Sequence, residues 1–201
     1  KDIYSIVAAA APAEAMVKPI RSYRDLHEEK MDVWAVGPGL GKADAKDILK
    51  LIERAPAPMV VDADGLNILS GDVETLKRSA GPRLLTPHPG EMKRLFDSGK
   101  MSRAGTAKNF AEAFRVTVLY KGARTIVAER ERPLSYNTTG NPGMATGGMG
   151  DVLTGVCAGL IGQSLSLYDA ARVGAWVCVI TRQCPALSGL MSMMQRVRSS
   201  S

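Results

Sequence analysis

The chain reads as an α/β protein, a mostly parallel sheet flanked by helices. Three observations predict this. Short apolar runs recur along the chain, each followed by a polar turn rich in Gly and Pro. Helix-capable segments follow most of those turns. The chemically unusual residues, GPGLG at 37–41, DADG at 62–65, TPHPGE at 86–91 and KGA at 121–123, all fall just after the runs. In parallel sheets that is where ligands bind, beyond the carboxyl ends of the strands.

The elements follow in order. Ile3-Tyr4-Ser5-Ile6-Val7 has strand composition and is expected to open the sheet. Val33-Trp34-Ala35-Val36 is a second strand. From Ala43 to Arg54, Ile48, Leu49, Leu51 and Ile52 make the apolar face of a helix. Met59-Val60-Val61 is a continuous apolar run, as in a strand buried on both faces. It ends in the turn Asp62-Ala63-Asp64-Gly65. Leu84-Leu85 is a further strand that leads through TPHPGE into a helix near Met92. A helix is expected from Ala104 to Phe114, then a strand at Val116-Thr117-Val118-Leu119-Tyr120. Thr125-Ile126-Val127-Ala128 and Pro133-Leu134-Ser135-Tyr136 read as a hairpin or edge pair.

Composition narrows the function classes. The 201 residues carry 26 Lys+Arg and 20 Asp+Glu, a net charge of +6. Up to Asp169 the balance is 22 − 20 = +2, and Arg172, Arg182, Arg196 and Arg198 supply the other +4. A basic excess confined to the tail argues against a nucleic-acid footprint. No apolar run approaches the ~18 residues of a membrane span. Cys157, Cys178 and Cys184 lack metal-ligand spacing. Buried reduced thiols, and hence a cytoplasmic location, are expected. The chain begins without Met or a signal-peptide layout, so a fragment is expected.

Eight of the 20 glycines lie between Asn137 and Gly162. Gly147, Gly148 and Gly150 precede Asp151, and Val152, Leu153, Val156, Cys157, Leu160 and Ile161 follow as a helix-capable run. Successive backbone N–H groups in such a turn, backed by a helix N-terminus, suit a phosphate. A carboxylate beside that nest repels an anion. Asp151 is then either a general base for phosphoryl transfer or an N-cap; spacing alone leaves both open. No Gly-Lys-Ser/Thr follows, so the segment is not a Walker A loop. Met144, Met149 and Leu153 are expected to pack.

GPGLG, VVDADGLNIL, TPHPGEMKRL, VLYKGARTIVA and NTTGNPGMATGGMGDVLTGVCAGLIGQ occur in this order. Together, over residues 1–176, they resemble the NAD(P)H-hydrate dehydratase family of the ribokinase-like superfamily. The resemblance implies repair of hydrated NADH or NADPH. ADP or ATP would serve as co-substrate and Mg²⁺ would screen its phosphates. Asp151 would deprotonate the C6 hydroxyl of the S epimer, which would take up a phosphoryl group and leave as phosphate.

The resemblance also implies the remaining roles. Lys121, Gly122, Ala123, Arg124 and Thr125, with Gly148 and Gly150, correspond to nucleotide-binding positions. Gly39, Gly41, His88 and Asn141, with Asp151 itself, correspond to substrate-binding ones. Glu91 stands where related kinases order metal-bound water. Each has a plainer reading: a solvated lysine, a tight turn, a structural histidine, a first-turn helix acid. Asp62, Asp64 and Asn67 line the neighbouring strand end. The implied partners are small molecules and further copies of the chain, with a tetramer as the state of bacterial relatives. No nucleic acid or membrane is expected.

Two departures from the family pattern follow. The family opens with a strand, a glycine-rich turn and a helix before the segment that starts here, so the domain is expected to lack its first βα unit. After Trp176 the sequence loses its acids and gathers Met191, Met193 and Met194, so 177–201 is expected to be a divergent basic tail. Two other functions fit the same residues: a ribokinase-like kinase for a vitamin-precursor alcohol, and a non-catalytic nucleotide-binding fragment.

Overall fold

A computed structural model describes residues 4–41, 44–139 and 148–183. Six strands form one sheet in the order β1 (Trp34–Val36), β2 (Met59–Val61), β3 (Arg83–Leu85), β4 (Thr117–Tyr120), β5 (Thr125–Ala128) and β6 (Ser135–Asn137). The first four run parallel, and β5 and β6 continue antiparallel. The mostly parallel sheet and the β5–β6 hairpin are as the sequence predicts.

Strand alternation sorts the core into two layers. Val61, Leu85, Val118 and Ile126 face one cluster, shared with α2 (Ala45–Arg54), α3 (Ala63–Leu69), α4 (Pro89–Leu95) and α5 (Arg103–Phe114). Val60, Leu84, Leu119 and Val127 face the other, beneath α6 (Met149–Gly162) and α7 (Leu167–Gln183). With helices on both faces, β2, β3 and β4 have no polar side to show, hence their unbroken burial. Helix α6 meets α7 closely: a Cβ on Gly174 would lie 2.8 Å from Cys157 Sγ.

The strand expected at 3–7 is not found. Tyr4–Ala10 is instead a helix, α1, that buries no residue. Its β-branched residues lead straight into Ala8, Ala9 and Ala10, and no described strand pairs with it; alanine's helix propensity then prevails. The turn expected at 62–65 is likewise the start of α3. Helix α7 runs unbroken through Trp176 and Val177 to Gln183. Met191, Met193, Met194 and Cys184 lie outside the described residues.

One buried charge fixes the amino end of the sheet. Arg83, 1% exposed, donates from Nε and Nη2 to Ile52 O, from Nη2 to Ala55 O, and from Nη1 to Ala57 O and Pro82 O, at 2.5–3.1 Å. The Ile52 and Ala55 carbonyls close the end of α2, where the helix dipole is negative. Burial pushes the guanidinium pKa down to about 10.

Candidate active site at the carboxyl ends of the strands

The turn after β1 is shaped by glycine. Gly37 has φ 137°, and a Cβ there would lie 1.7 Å from the Asp62 carbonyl oxygen. The ends of β1 and β2 can close only without that side chain. Gly39 and Gly41 also have positive φ, but nothing lies within 4 Å of a Cβ on either. They are exposed on the open side of the turn. The Gly41 N–H donates to Asp64 Oδ2 at 2.9 Å. Asn67 Nδ2 donates to Asp64 Oδ1, and Arg94 Nη2 donates to Asn67 Oδ1 at 2.6 Å. Asp64 and Asn67 thus hold the glycine turn. Arg94, which the sequence did not single out, closes the chain of bonds from α4.

After β3, His88 caps α4. Its Nδ1 accepts the N–H groups of Gly90 and Glu91 at 3.0 and 3.3 Å. Glu91 Oε2 accepts the His88 N–H at 2.8 Å, completing a capping box. A ring that accepts at Nδ1 carries its proton on Nε2. His88 therefore presents a donor on a half-exposed side chain, with Glu91 Oε1 3.4 Å from Nε2. Glu91 itself is buried. Among the described residues no three His, Cys, Asp or Glu side chains gather as a cation site. A magnesium ion carried on nucleotide phosphates needs only one or two protein carboxylates, so Glu91 fits that duty and no all-protein cage is required.

The turn after β4 is stapled from α5. Arg103 donates to Ala123 O at 2.6 Å, Lys121 O at 3.1 Å and Tyr120 O at 3.4 Å. Its guanidinium also lies 4.7 Å from the centre of the Tyr120 ring. Gly122, φ 139°, leaves room for it: a Cβ would be 2.8 Å from Arg103 Nη2. Thr125 Oγ1 donates to Gly122 O, and Ala123 and Arg124 are exposed at the rim. Arg103 also escaped the sequence reading. The signal available was a cation in the first turn of a helix, against the dipole.

Helix α6 brings the chemistry in. Gly148, φ 88°, is its N-cap, without a side-chain bond. Asp151 is therefore not the cap; it is the third residue of the helix. Gly150, one residue before it, sits on a pair of charges. A Cβ on Gly150 would be 3.2 Å from Asp62 Oδ2 and 3.3 Å from Lys121 Nζ. Asp62, 1% exposed, accepts Lys121 Nζ at 2.7 Å on Oδ1 and Thr154 Oγ1 at 2.9 Å on Oδ2. Gly37, Asp62, Lys121 and Gly150 are thus in a continuous line, with Asp151 next in chain. The structure joins the β1, β2, β4 and α6 positions in that line. The Lys121 N–H, donating to Pro87 O at 2.8 Å, ties in the turn that carries His88. Asn141 lies outside the described residues.

Burial pushes the Cys157 thiol up to about 12, with Cys178 and Asp62 adding to the shift, and the Cys178 thiol up to about 11. Both are buried, as expected.

The sequence model described as NAD(P)H-hydrate dehydratase matches residues 4–190. The bifunctional NAD(P)H-hydrate repair enzyme of Moorella thermoacetica is 46% identical over 154 residues, which cover 74% of this chain and 29% of that enzyme. The ADP/ATP-dependent NAD(P)H-hydrate dehydratase of Bacillus subtilis, in a crystal grown with ATP and Mg²⁺, superposes with a TM-score of 0.68 at 26% identity. It covers 87% of this chain and 70% of that one. A ribokinase-like superfamily protein of Enterococcus faecalis superposes with a TM-score of 0.64 at 27% identity, over 79% and 56% of the two chains. The chain thus spans under a third of the Moorella enzyme's length.

Proposed function

This chain belongs to the NAD(P)H-hydrate dehydratase family, and on that premise we propose that it carries the catalytic site of a nucleotide-dependent dehydratase. The substrate is the S epimer of hydrated NADH or NADPH, and ADP or ATP is the phosphoryl donor. The observation that carries this reading is the seating of α6. Its first turn places Asp151 one residue beyond Gly150, which rests against the Lys121–Asp62 pair.

The chemistry follows from that seat. The Asp151 carboxylate takes the proton of the C6 hydroxyl. The freed oxygen attacks the terminal phosphorus, and the bond from that phosphorus to the nucleotide breaks. Backbone N–H groups at the start of α6 and the Lys121 ammonium receive the charge on the moving group. Phosphate then leaves C6 with the bonding electrons, and loss of a proton from C5 restores the ring double bond. Mg²⁺ would enter on the nucleotide and offset phosphate charge, with Glu91 the residue to hold it through water. The glycine turn at Gly39 and Gly41, with His88 Nε2–H as donor, faces the hydrate, and Asn141 belongs to the same set. The KGART turn, stapled by Arg103, faces the nucleotide.

Turnover of S-NADH hydrate with ADP or ATP, followed as NADH absorbance, tests this. Asp151→Asn is expected to lower kcat by about 10²–10⁴; unchanged turnover would end the assignment. Stable phosphorylation of a thiazole or pyrimidine alcohol instead would favour a vitamin-precursor kinase. ADP binding without any turnover would favour a non-catalytic module.

Two companion readings go with the function. A homo-oligomer, with the tetramer as expectation, is supported by Tyr136, Val173 and Trp176, exposed on β6 and the adjoining α7. Sedimentation of the intact chain decides it. No described helix is long and apolar enough to cross a membrane. The buried thiol of Cys157 supports a cytoplasmic setting.

A further inference from the structure

We propose that Asp62 is a positioning residue, holding the Lys121 ammonium against the first turn of α6 so that it meets the transferring phosphoryl group. The proposal rests on the dehydratase reading for its chemistry but on geometry for its substance. Asp62 lies at the end of β2 and Lys121 at the end of β4, so their 2.7 Å contact spans the end of β3. The carboxylate is 1% exposed, whereas the Lys121 side chain is 21% exposed. Asp62 is thus the fixed member and Lys121 the one aimed outward.

Both carboxylate oxygens have a duty. Oδ1 takes Lys121, and Oδ2 takes Thr154, which stands one turn after Asp151 on α6. One side chain therefore sets the cation and the helix that carries the base. An ammonium has three N–H donors. Asp62 uses one, and the others remain for an anion on the helix. A buried ion pair adds little stability by itself compared with apolar packing. Gly150 accommodates this pair: at 3.2 and 3.3 Å a Cβ would press on both of its members.

The test combines a spectroscopic and a kinetic arm on the intact 201-residue chain. In ¹⁵N NMR the wild type is expected to show a slowly exchanging lysine NH₃⁺ resonance, assigned by its loss in Lys121→Met. It should vanish in Asp62→Asn, and ADP should shift it without removing it. A wild type lacking this resonance, its survival in Asp62→Asn, or indifference to ADP would each overturn the proposal. In turnover, Asp62→Asn is expected to lower kcat about tenfold or more, as for a displaced reacting partner. Nucleotide KM should stay within about threefold, since net positive charge at the nest is not lost. An unchanged kcat, or a loss carried by KM alone, counts against it. If Asp62→Asn does not fold, Thr154→Val should lower kcat and Thr154→Ser restore it, and equal activity in both contradicts the proposal. A wild type without turnover sinks the dehydratase reading and leaves the resonance to decide this one.

Discussion

The two ends of the sheet each hold a cation in a partly or fully buried place, and they treat it differently. At the amino end, Arg83 spends its guanidinium on five bonds to backbone carbonyl oxygens and is 1% exposed. At the carboxyl end, Lys121 Nζ meets Asp62 and keeps a fifth of its side chain open. A cation whose donors are all used can only hold the fold together. One anchored by a single carboxylate can still receive a ligand. Burial alone therefore does not mark a functional charge; the count of donors left over does.

The sharpest way to break that comparison is to remove each cation. Arg83→Met should lower unfolding free energy by about 3 kcal/mol or more, because it strands several buried carbonyls at once. Activity well below the melting temperature should survive. Urea unfolding checks the first part and turnover the second. Lys121→Met should do the reverse to turnover, and should also destabilise by stranding Asp62. Adding Asp62→Asn should recover part of that stability, a coupling of about 1–3 kcal/mol.

A smaller effect sharpens the same contrast within α6. Gly→Ala inside a helix ordinarily stabilises by roughly 0.5–1 kcal/mol. Gly155→Ala and Gly159→Ala should follow that rule, since nothing lies within 4 Å of a Cβ at either. Gly150→Ala should reverse it, losing about 1–3 kcal/mol by overpacking against the charged pair, and weaken nucleotide binding. Thermal melts of the three variants give the signs.

The smallest effect concerns the thiols. Cys157 titrates at about 12 when folded against 9.0 for an ordinary thiol, because burial disfavours the thiolate. The folded state therefore keeps a proton that the unfolded chain releases above pH 9 or so. That contribution is complete below about pH 9 and is lost as pH rises toward about 12. Cys157→Ala should flatten the alkaline fall in stability, measured by urea titration at several pH values.

Much of this was legible in the sequence where local pattern and tertiary role agree. Met59–Val61 and Thr117–Tyr120 are strands because their runs are buried on both faces. The motif residues Gly41, His88 and Lys121 do fall after the ends of β1, β3 and β4, as the turn chemistry indicated. What escaped depends on neighbours distant in the chain. Arg83 reads as a polar strand start until α2 offers its last carbonyls. Arg103 and Thr154 acquire partners only when α5 meets the β4 turn and α6 meets Asp62. Tyr4–Ala10 shows the opposite failure, strand composition with no described strand beside it.

The shortness of β3 then takes on a meaning. With three residues it has too few ladder bonds to fix its own alignment, and a slip by one would turn Leu84 toward the wrong layer. Its alignment is set from outside. Arg83 at one end docks on α2. Just past the other end, Pro87 O takes the Lys121 N–H while the Asp62–Lys121 contact passes overhead. The strand is clamped like a ruler at both ends. Any change that loosens the Asp62–Lys121 clamp should also loosen the strand order at the middle of the sheet.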